Sequence, residues 1–189
     1  MSEEIVPSVK KGPGEKLERL FWVDLEMSGL DEFNDVILEV AVLISDLEFN
    51  VIAEYEVIVQ QPQSVLDGMD DWCKEHHGKS GLTAAVPHGR PIQAVEDDLL
   101  AIIDKHFSQG ERVILCGNSV GTDRRFLIKG MPRLAERLHY RVIDVTSFKE
   151  IFWSRFGLTI DKAEGHRALV DIRESMAELQ HYVSFIKVD

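Results

Sequence analysis

The sequence predicts a mixed α/β domain: one sheet, begun by an antiparallel three-strand meander and extended by parallel strands, flanked by helices. Three observations lead there. Apolar, β-branched runs of strand length crowd the segment from Leu20 to Gln60, with only short polar turns between them. Beyond Arg90, such runs alternate with segments whose apolar residues recur at helical spacing. At 189 residues the chain suits one core and is too short for two.

The first strand is centred on "FWVDLEM", Phe21 to Met27. "VILEVAVLISD" from Val36 and "VIAEYEVIVQ" from Val51 follow, joined by "LEFN", and complete the meander. "MDDWCKEHHGKSGL" is polar and bounded by glycine, which predicts a helical turn or two and a loop. Pro91 opens "PIQAVEDDLLAIIDKHF", where Val95, Leu99, Ile102 and Ile103 mark an amphipathic helix. "RVILCGNS" is a strand, and "TDRRFLIKGMPRLAERL" a helix that Pro132 breaks or restarts. "YRVIDV", "TSFKEIFWSRF" and "ALVDIRESMAELQHYVSFI" read as strand, helix and a long final helix. Residues 1–19 are charged and rich in Pro and Gly, and are expected to form a flexible tail, a linker or a docking arm, ahead of one domain over 20–189.

Bulk properties narrow the function. No apolar run approaches the roughly 20 residues a membrane helix requires. The N-terminus lacks the apolar core of a secretory signal and is too acidic for a mitochondrial presequence. Two cysteines, Cys73 and Cys116, do not make a disulfide framework, so a reducing cytoplasm is the expected location. A net charge of −12, from 21 basic and 33 acidic residues, argues against non-specific grip on long nucleic acid. It leaves room for a short or metal-bridged phosphate substrate. The basic residues cluster from Arg124 to Lys149, a stretch that a solvated helix face would explain for at least half of them.

The placement of certain acids raises a chemical question. Asp24 and Glu26 are two apart on a strand, so their side chains point to the same side among apolar neighbours. Like charges so placed call for protonation, a basic partner or a cation. Asp123 stands where a strand gives way to a helix, a position that also suits a plain helix-terminal acid. His166 precedes the last helix, and Asp171 lies about one and a half turns further, where it could simply pair with Arg167 or Arg173. Each feature is commonplace alone. Their order, Asp24, Glu26, Asp123, His166, Asp171, resembles that of the DEDDh exonucleases, a branch of the ribonuclease H-like superfamily. "DLEMSGLD", "MDDW" with His77 five residues after Trp72, "CGNSVGTDRRFL", "HYRVIDVT" and "HRALVDIRES" narrow the resemblance to the oligoribonuclease family, over nearly everything from Leu20 onward.

The resemblance implies a ribonuclease H-like sheet and a 3′-to-5′ exoribonuclease that reduces very short RNA, dinucleotides especially, to 5′-mononucleotides. It implies two divalent metal ions, Mg²⁺ or Mn²⁺, with Asp24 bridging them, Glu26 and Asp171 holding one and Asp123 placing the second, and His166 as general base. Carboxylate oxygens suit such hard cations, and two metals about 3.5 to 4 Å apart serve an in-line displacement. Further along the site, Leu30 resembles a wedge between bases, Trp72 and His77 base-stacking and phosphate-contacting residues. Ser119, Arg141 and Thr146 match positions that cap a 5′ phosphate. The family also implies a homodimer in which His139, Tyr140 and Arg141 complete the partner's site. Two features depart from the pattern: Thr122 is smaller than the polar residue common there, and the segment before His166 is short. Alternatives are an exonuclease of the same branch acting on longer single-stranded DNA or RNA, and a non-catalytic nucleic-acid-binding scaffold.

Overall fold

A computed structural model describes residues 16–160 and 167–187. The expected meander is present as β1 (Leu20–Met27), β2 (Ile37–Ser45) and β3 (Val51–Ile58). Next comes a helical region unforeseen in its extent, α1 (Gln63–Gly68), α2 (Asp71–Lys79) and α3 (Leu82–Ala85), which closes in a short 3₁₀ turn. These elements cover an apolar cluster of Leu38, Leu66, Met69, Cys73, Leu82 and Val86, and that burial holds a segment whose polar sequence gives little helix signal. The remainder runs α4 (Ile92–His106), β4 (Val113–Gly117), α5 (Gly121–Gly130), α6 (Pro132–Arg137), β5 (Leu138–Asp144), α7 (Val145–Phe156) and α8 (Ala168–Ser184). Pro132 restarts the helix at α6, where a missing N–H is harmless.

The sheet has the order β3-β2-β1-β4-β5. β1 pairs antiparallel with β2, and β2 with β3, while β4 and β5 are added parallel. β1 is therefore the central strand, and the chain leaves it in opposite directions on its two sides. Such a switch point opens a crevice at the carboxyl end of the strand, where Asp24 and Glu26 lie.

Alternation sorts the two faces. Phe21, Val23 and Leu25 of β1 pack with Val95, Leu99, Ile103, Phe126 and Leu134 of α4, α5 and α6. Leu20 and Trp22 point the other way, with Ala41, Leu43, Ile114 and Cys116, against Ala168, Ile172 and Leu179 of α8. Asp24 and Glu26, in phase with Trp22, belong to the α8 face. Trp22 is wholly buried, and its indole N–H donates to Ser45 Oγ at 3.0 Å. Among the residues of the expected tail, 1–15 lie outside the described residues, and Leu17 packs on the α8-face cluster.

Arg125, Lys129, Arg133 and Arg141 of the basic stretch are exposed, as a solvated face for at least half of it requires, yet its helical part also has partners within the fold. Arg124 donates to the His139 carbonyl at 2.8 Å, Arg125 pairs with Glu32 at 3.1 Å, and Lys129 donates to the Phe33 carbonyl at 2.7 Å. Arg133 pairs with Glu96, a buried carboxylate that also accepts from the Leu134 N–H, and Arg137 reaches the Glu111 carbonyl. These cations tie α5 and α6 to neighbouring loops and helices.

Close approach of β1 and β4 depends on Gly117, where a Cβ would stand 2.8 Å from the Val23 carbonyl oxygen. Gly117→Ala is expected to destabilise the fold by about 1 to 3 kcal/mol, because backbone rather than a flexible side chain must give way. Urea denaturation measures it, and an unchanged midpoint would contradict the close approach.

Candidate active site

Asp24, Glu26 and Asp171 come together at the crevice. One carboxylate oxygen of each lies within 4.8 Å of the others. β1 supplies the first two, and α8 supplies the third from its first turn, nearer the helix start than its sequence position suggested. Asp123 joins from α5, where it is buried and turned toward the sheet: its Oδ1 accepts the Leu25 N–H at 3.1 Å. A purely helix-terminal role is thus set aside by its direction. His166 lies outside the described residues.

Electrostatics sets these acids apart from surface carboxylates. Glu26 is pushed up to about 7, first by burial, then by Asp171 and Glu39, with Arg167 opposing. Asp123 is also pushed up to about 7, chiefly by burial, against the hydrogen bonds it accepts. Acids in that condition favour a proton or a cation over remaining bare. Three convergent carboxylates of intermediate burial offer hard oxygen donors only, a set that fits a divalent ion of the Mg²⁺ or Mn²⁺ type.

Sequence reasoning missed Glu39. It is directly opposite Glu26 in the β1–β2 register and is 0% exposed, the one charge in an otherwise apolar buried strand. Its carboxylate accepts from Arg167 Nε at 3.0 Å and Nη2 at 2.6 Å, and from the Ala168 N–H at 3.2 Å. Glu39 therefore fastens the N-terminus of α8 to the sheet three residues before Asp171, and Arg167 answers the negative charge beside Glu26. Arg167 pairs with Glu39, and Arg173 with Glu54. An isolated Glu within "VILEVAVLIS" was the available signal.

Beside the carboxylates is a cavity of about 450 Å³, lined by Leu25, Glu26, Met27, Gly29, Leu30 and by Asp70, Trp72, Cys73 and His77 of the α2 region. Glu26 belongs to both cluster and cavity. Leu30 is 77% exposed and Trp72 57%, so neither is the packing residue that a bland reading would make it. The Leu30 loop is built: Ser28 Oγ donates to Asp35 at 2.9 Å and the Asp31 N–H to the same carboxylate at 3.0 Å. Gly29 fits beneath because a Cβ would collide with Asp35. His77 is buried, its Nε2–H donates to the Met27 carbonyl at 2.9 Å, and its Nδ1 faces Glu26 Oε2 at 3.9 Å without a hydrogen bond.

The remaining candidates form two groups. Ser119 and Thr146 touch, Oγ to Oγ1, at 3.1 Å beyond the ends of β4 and β5. His139, Tyr140 and Arg141 lie on β5 and line no part of the cavity. Tyr140 is 71% exposed, which removes it from the core, and the Arg141 guanidinium sits 5.4 Å above its ring. Thr122 is in the first turn of α5, its N–H bonded to the Ser119 carbonyl.

In the metal-free protein, an acid whose folded pKa exceeds its unfolded value is bound more tightly to its proton by the fold. For Glu26 and Asp123 the fold is then favoured below about 4, loses that advantage as pH rises between about 4 and 7, and changes little beyond. Urea midpoints of metal-free protein at about pH 5.5 and about pH 8 are expected to differ accordingly, with Asp123→Asn, which keeps an acceptor for Leu25, shrinking the difference. An undiminished difference would show that Asp123 is not one of its sources.

Comparison with known proteins bears on the family and the fold. The RNase T model of the Exonuclease family matches residues 21–179. The chain is 47% identical over 172 residues to a probable oligoribonuclease of Dictyostelium discoideum, covering 89% of this chain and 90% of that protein. It is 46% identical over 170 residues to an oligoribonuclease of Marinobacter nauticus, covering 87% and 94%, and 44% identical over 177 residues to one of Pseudomonas paraeruginosa, covering 90% and 98%. Among solved structures, an Exonuclease I from Methylocaldum szegediense superposes with a TM-score of 0.66 at 17% identity, over 88% of this chain and 40% of that one. Escherichia coli Exonuclease I in complex with a 5cy-dT13 oligonucleotide gives 0.62 at 13%, over 90% and 41%. At 17% and 13% identity these likenesses establish a shared fold and no more, and the chain spans about 40% of those chains. With the family match and close relatives covering almost the whole described chain, this protein belongs to the oligoribonuclease family of exonucleases.

Proposed function

We propose that the substrates are very short RNA oligonucleotides, dinucleotides above all, cleaved to 5′-mononucleotides. As a member of its family the chain is a 3′-to-5′ exoribonuclease. The observation that carries the substrate reading is the shared Glu26: the carboxylate cluster opens directly into a bounded cavity. Exposed Leu30 and Trp72 on its walls suit bases held by stacking, which tolerates any sequence.

In this reading Asp24, Glu26, Asp123 and Asp171 hold two divalent ions, Mg²⁺ or Mn²⁺. When bound, such a pair activates a water and stabilises the leaving oxygen of the phosphodiester. His166 takes the proton from the attacking water, a task suited to an imidazole near neutral pH. Leu30 wedges between the terminal bases, Trp72 stacks on one, and His77 contacts phosphate. Ser119 and Thr146, with Arg141, cap the 5′ phosphate, so a longer strand finds no exit.

The cap requires a second copy of the chain. β5 is an edge strand, and Tyr140 and Val142, two apart on it, are both exposed. A homodimer through this face would bring His139, Tyr140 and Arg141 to the neighbour's site, which is where the exposed Tyr140 and Arg141 pair gains a purpose. No helix among the described residues is long and apolar enough to cross a membrane. The two cysteines are free and buried, which suits the reducing cytoplasm.

A time course with 5′-labelled RNAs of two, five and roughly twenty nucleotides, with Mg²⁺, with Mn²⁺ and with chelator, tests the proposal. Metal-dependent cleavage fastest on the dinucleotide is expected. Asp24→Ala and Asp171→Ala should abolish it while circular dichroism shows an intact fold, and near-normal turnover in either would remove the carboxylates from the chemistry. Arg141→Ala should slow the dinucleotide more than the five-nucleotide RNA. Equal processing of the longest strand by the unaltered protein would refute the cap.

A further inference from the structure

Behind Ser119 and Thr146 lies a chain of polar side chains that the proposed mechanism does not use. Asn118, the residue after β4, spends both halves of its amide. Its Nδ2 donates to Ser175 Oγ at 2.8 Å and to Glu178 Oε2 at 3.2 Å, and its Oδ1 accepts from Thr146 Oγ1 at 3.3 Å. Glu178 is 1% exposed, and its other oxygen accepts from the Tyr182 hydroxyl at 3.0 Å. Ser175, Glu178 and Tyr182 share one buried face of α8, and Ser175 Oγ also donates to the Asp171 carbonyl at 2.9 Å.

On the outer side of Asn118, the backbone is held in an unusual form. Ser119 has φ +48°, the left-handed region that residues with a side chain seldom occupy. Its N–H is gripped by Asp144 Oδ1 at 3.0 Å and Thr146 Oγ1 at 2.9 Å. Asp144 also accepts the Thr146 N–H, capping α7. A residue held against its backbone preference persists only where its surroundings over-determine it, and such residues gather at ligand clamps. A buried carboxylate fully engaged with donors likewise belongs to a network that rigidifies what it touches.

We propose that Asn118 and Glu178 are positioning residues for 5′-phosphate recognition: the buried Glu178 orients the Asn118 amide, which sets Thr146 and the left-handed Ser119 in the geometry that receives the phosphate. This inference rests on the reading of Ser119 and Thr146 as the cap. The cap is thereby fastened to the same helix that carries Asp171, so the distance from 5′ phosphate to the cleaved bond is built into α8.

The test compares two dinucleotides, one with a 5′ phosphate and one with a 5′ hydroxyl, by steady-state kinetics of the full chain in Mg²⁺. The unaltered protein should favour the phosphorylated form, and Ser119→Ala should reduce that preference. Asn118→Ala and Glu178→Ala are each expected to lower the preference roughly tenfold through KM on the phosphorylated dinucleotide, with kcat on the 5′-hydroxyl form within about twofold of the parent. Glu178→Gln, whose amide oxygen still accepts from Asn118, should restore it. Asn118 is half-buried, so its variant carries the test should Glu178→Ala not fold. Wild-type preference in Asn118→Ala and Glu178→Ala, alongside its loss in Ser119→Ala, would overturn the positioning role alone. Equal use of both dinucleotides by the unaltered protein would overturn the cap and the inference with it.

Discussion

The structure is organised around three carboxylates that a fold left to itself would keep apart. Asp24, Glu26 and Asp171 offer oxygens within 4.8 Å of one another, with buried Glu39 opposite Glu26 and Asp123 accepting from the N–H of Leu25, which lies between Asp24 and Glu26 in sequence. Burial and mutual repulsion push Glu26 far above a normal carboxylate. Such a cluster is costly to assemble and holds its shape only if each member is fixed by something stronger than its neighbours' repulsion. Asp24 and Glu26 are fixed by the central strand, which pairs with β2 at both residues and with β4 just before them. Asp171 is fixed by the Arg167 and Ala168 contacts to Glu39, which bind the start of α8 to β2. One arginine thus does two things: it neutralises an acid that the sheet interior could not otherwise keep, and it sets the angle at which a helix meets the site.

Helix α8 is the common frame. Its first turn supplies Asp171, its apolar face packs on β1 and β2, and Ser175, Glu178 and Tyr182 further along stand behind Asn118. Groups carried on a packed helix keep their separation better than groups carried on loops. The elements that meet substrate in the proposed function are, by contrast, loop-borne or exposed. Leu30 depends on a hydrogen-bonded loop closed by Asp35, and Trp72 on the small α1–α3 layer with its own apolar cluster. Rigid chemistry with a separately built reception surface is the division that the proposed function calls for.

Charge follows the same division. The chain is strongly acidic overall, and Arg124, Arg125, Lys129, Arg133 and Arg137 are already committed to carbonyls or carboxylates within the fold. They are poorly placed to track a long phosphate backbone, whose binding needs many available cations. The balance is consistent with the proposed small substrate, gripped at a few points.

Much of this was legible in order alone. The meander, the alternation of strand and helix after it, and the restart at Pro132 all follow from local rules of periodicity and backbone chemistry, which act over a few residues. The Asp-x-Glu pair on one strand face also follows from a period of two, and the family words joined it to Asp123 and Asp171. The α1–α3 layer escaped, because its helices are held by a cluster shared with β2 rather than by their own polar sequence. Glu39, Asn118 and Glu178 escaped for a related reason: a charged or amide side chain in a buried run declares that it has a partner, but the partner stands 128 residues away for Glu39 and 60 for Asn118. The sequence by itself determined the fold class and the family, and it singled out the acids assigned to the proposed chemistry. Only the tertiary structure decided which side chains meet across the fold, such as Arg167 on Glu39 and Asn118 on Glu178, because such pairing depends on packing and not on neighbourhood in the chain.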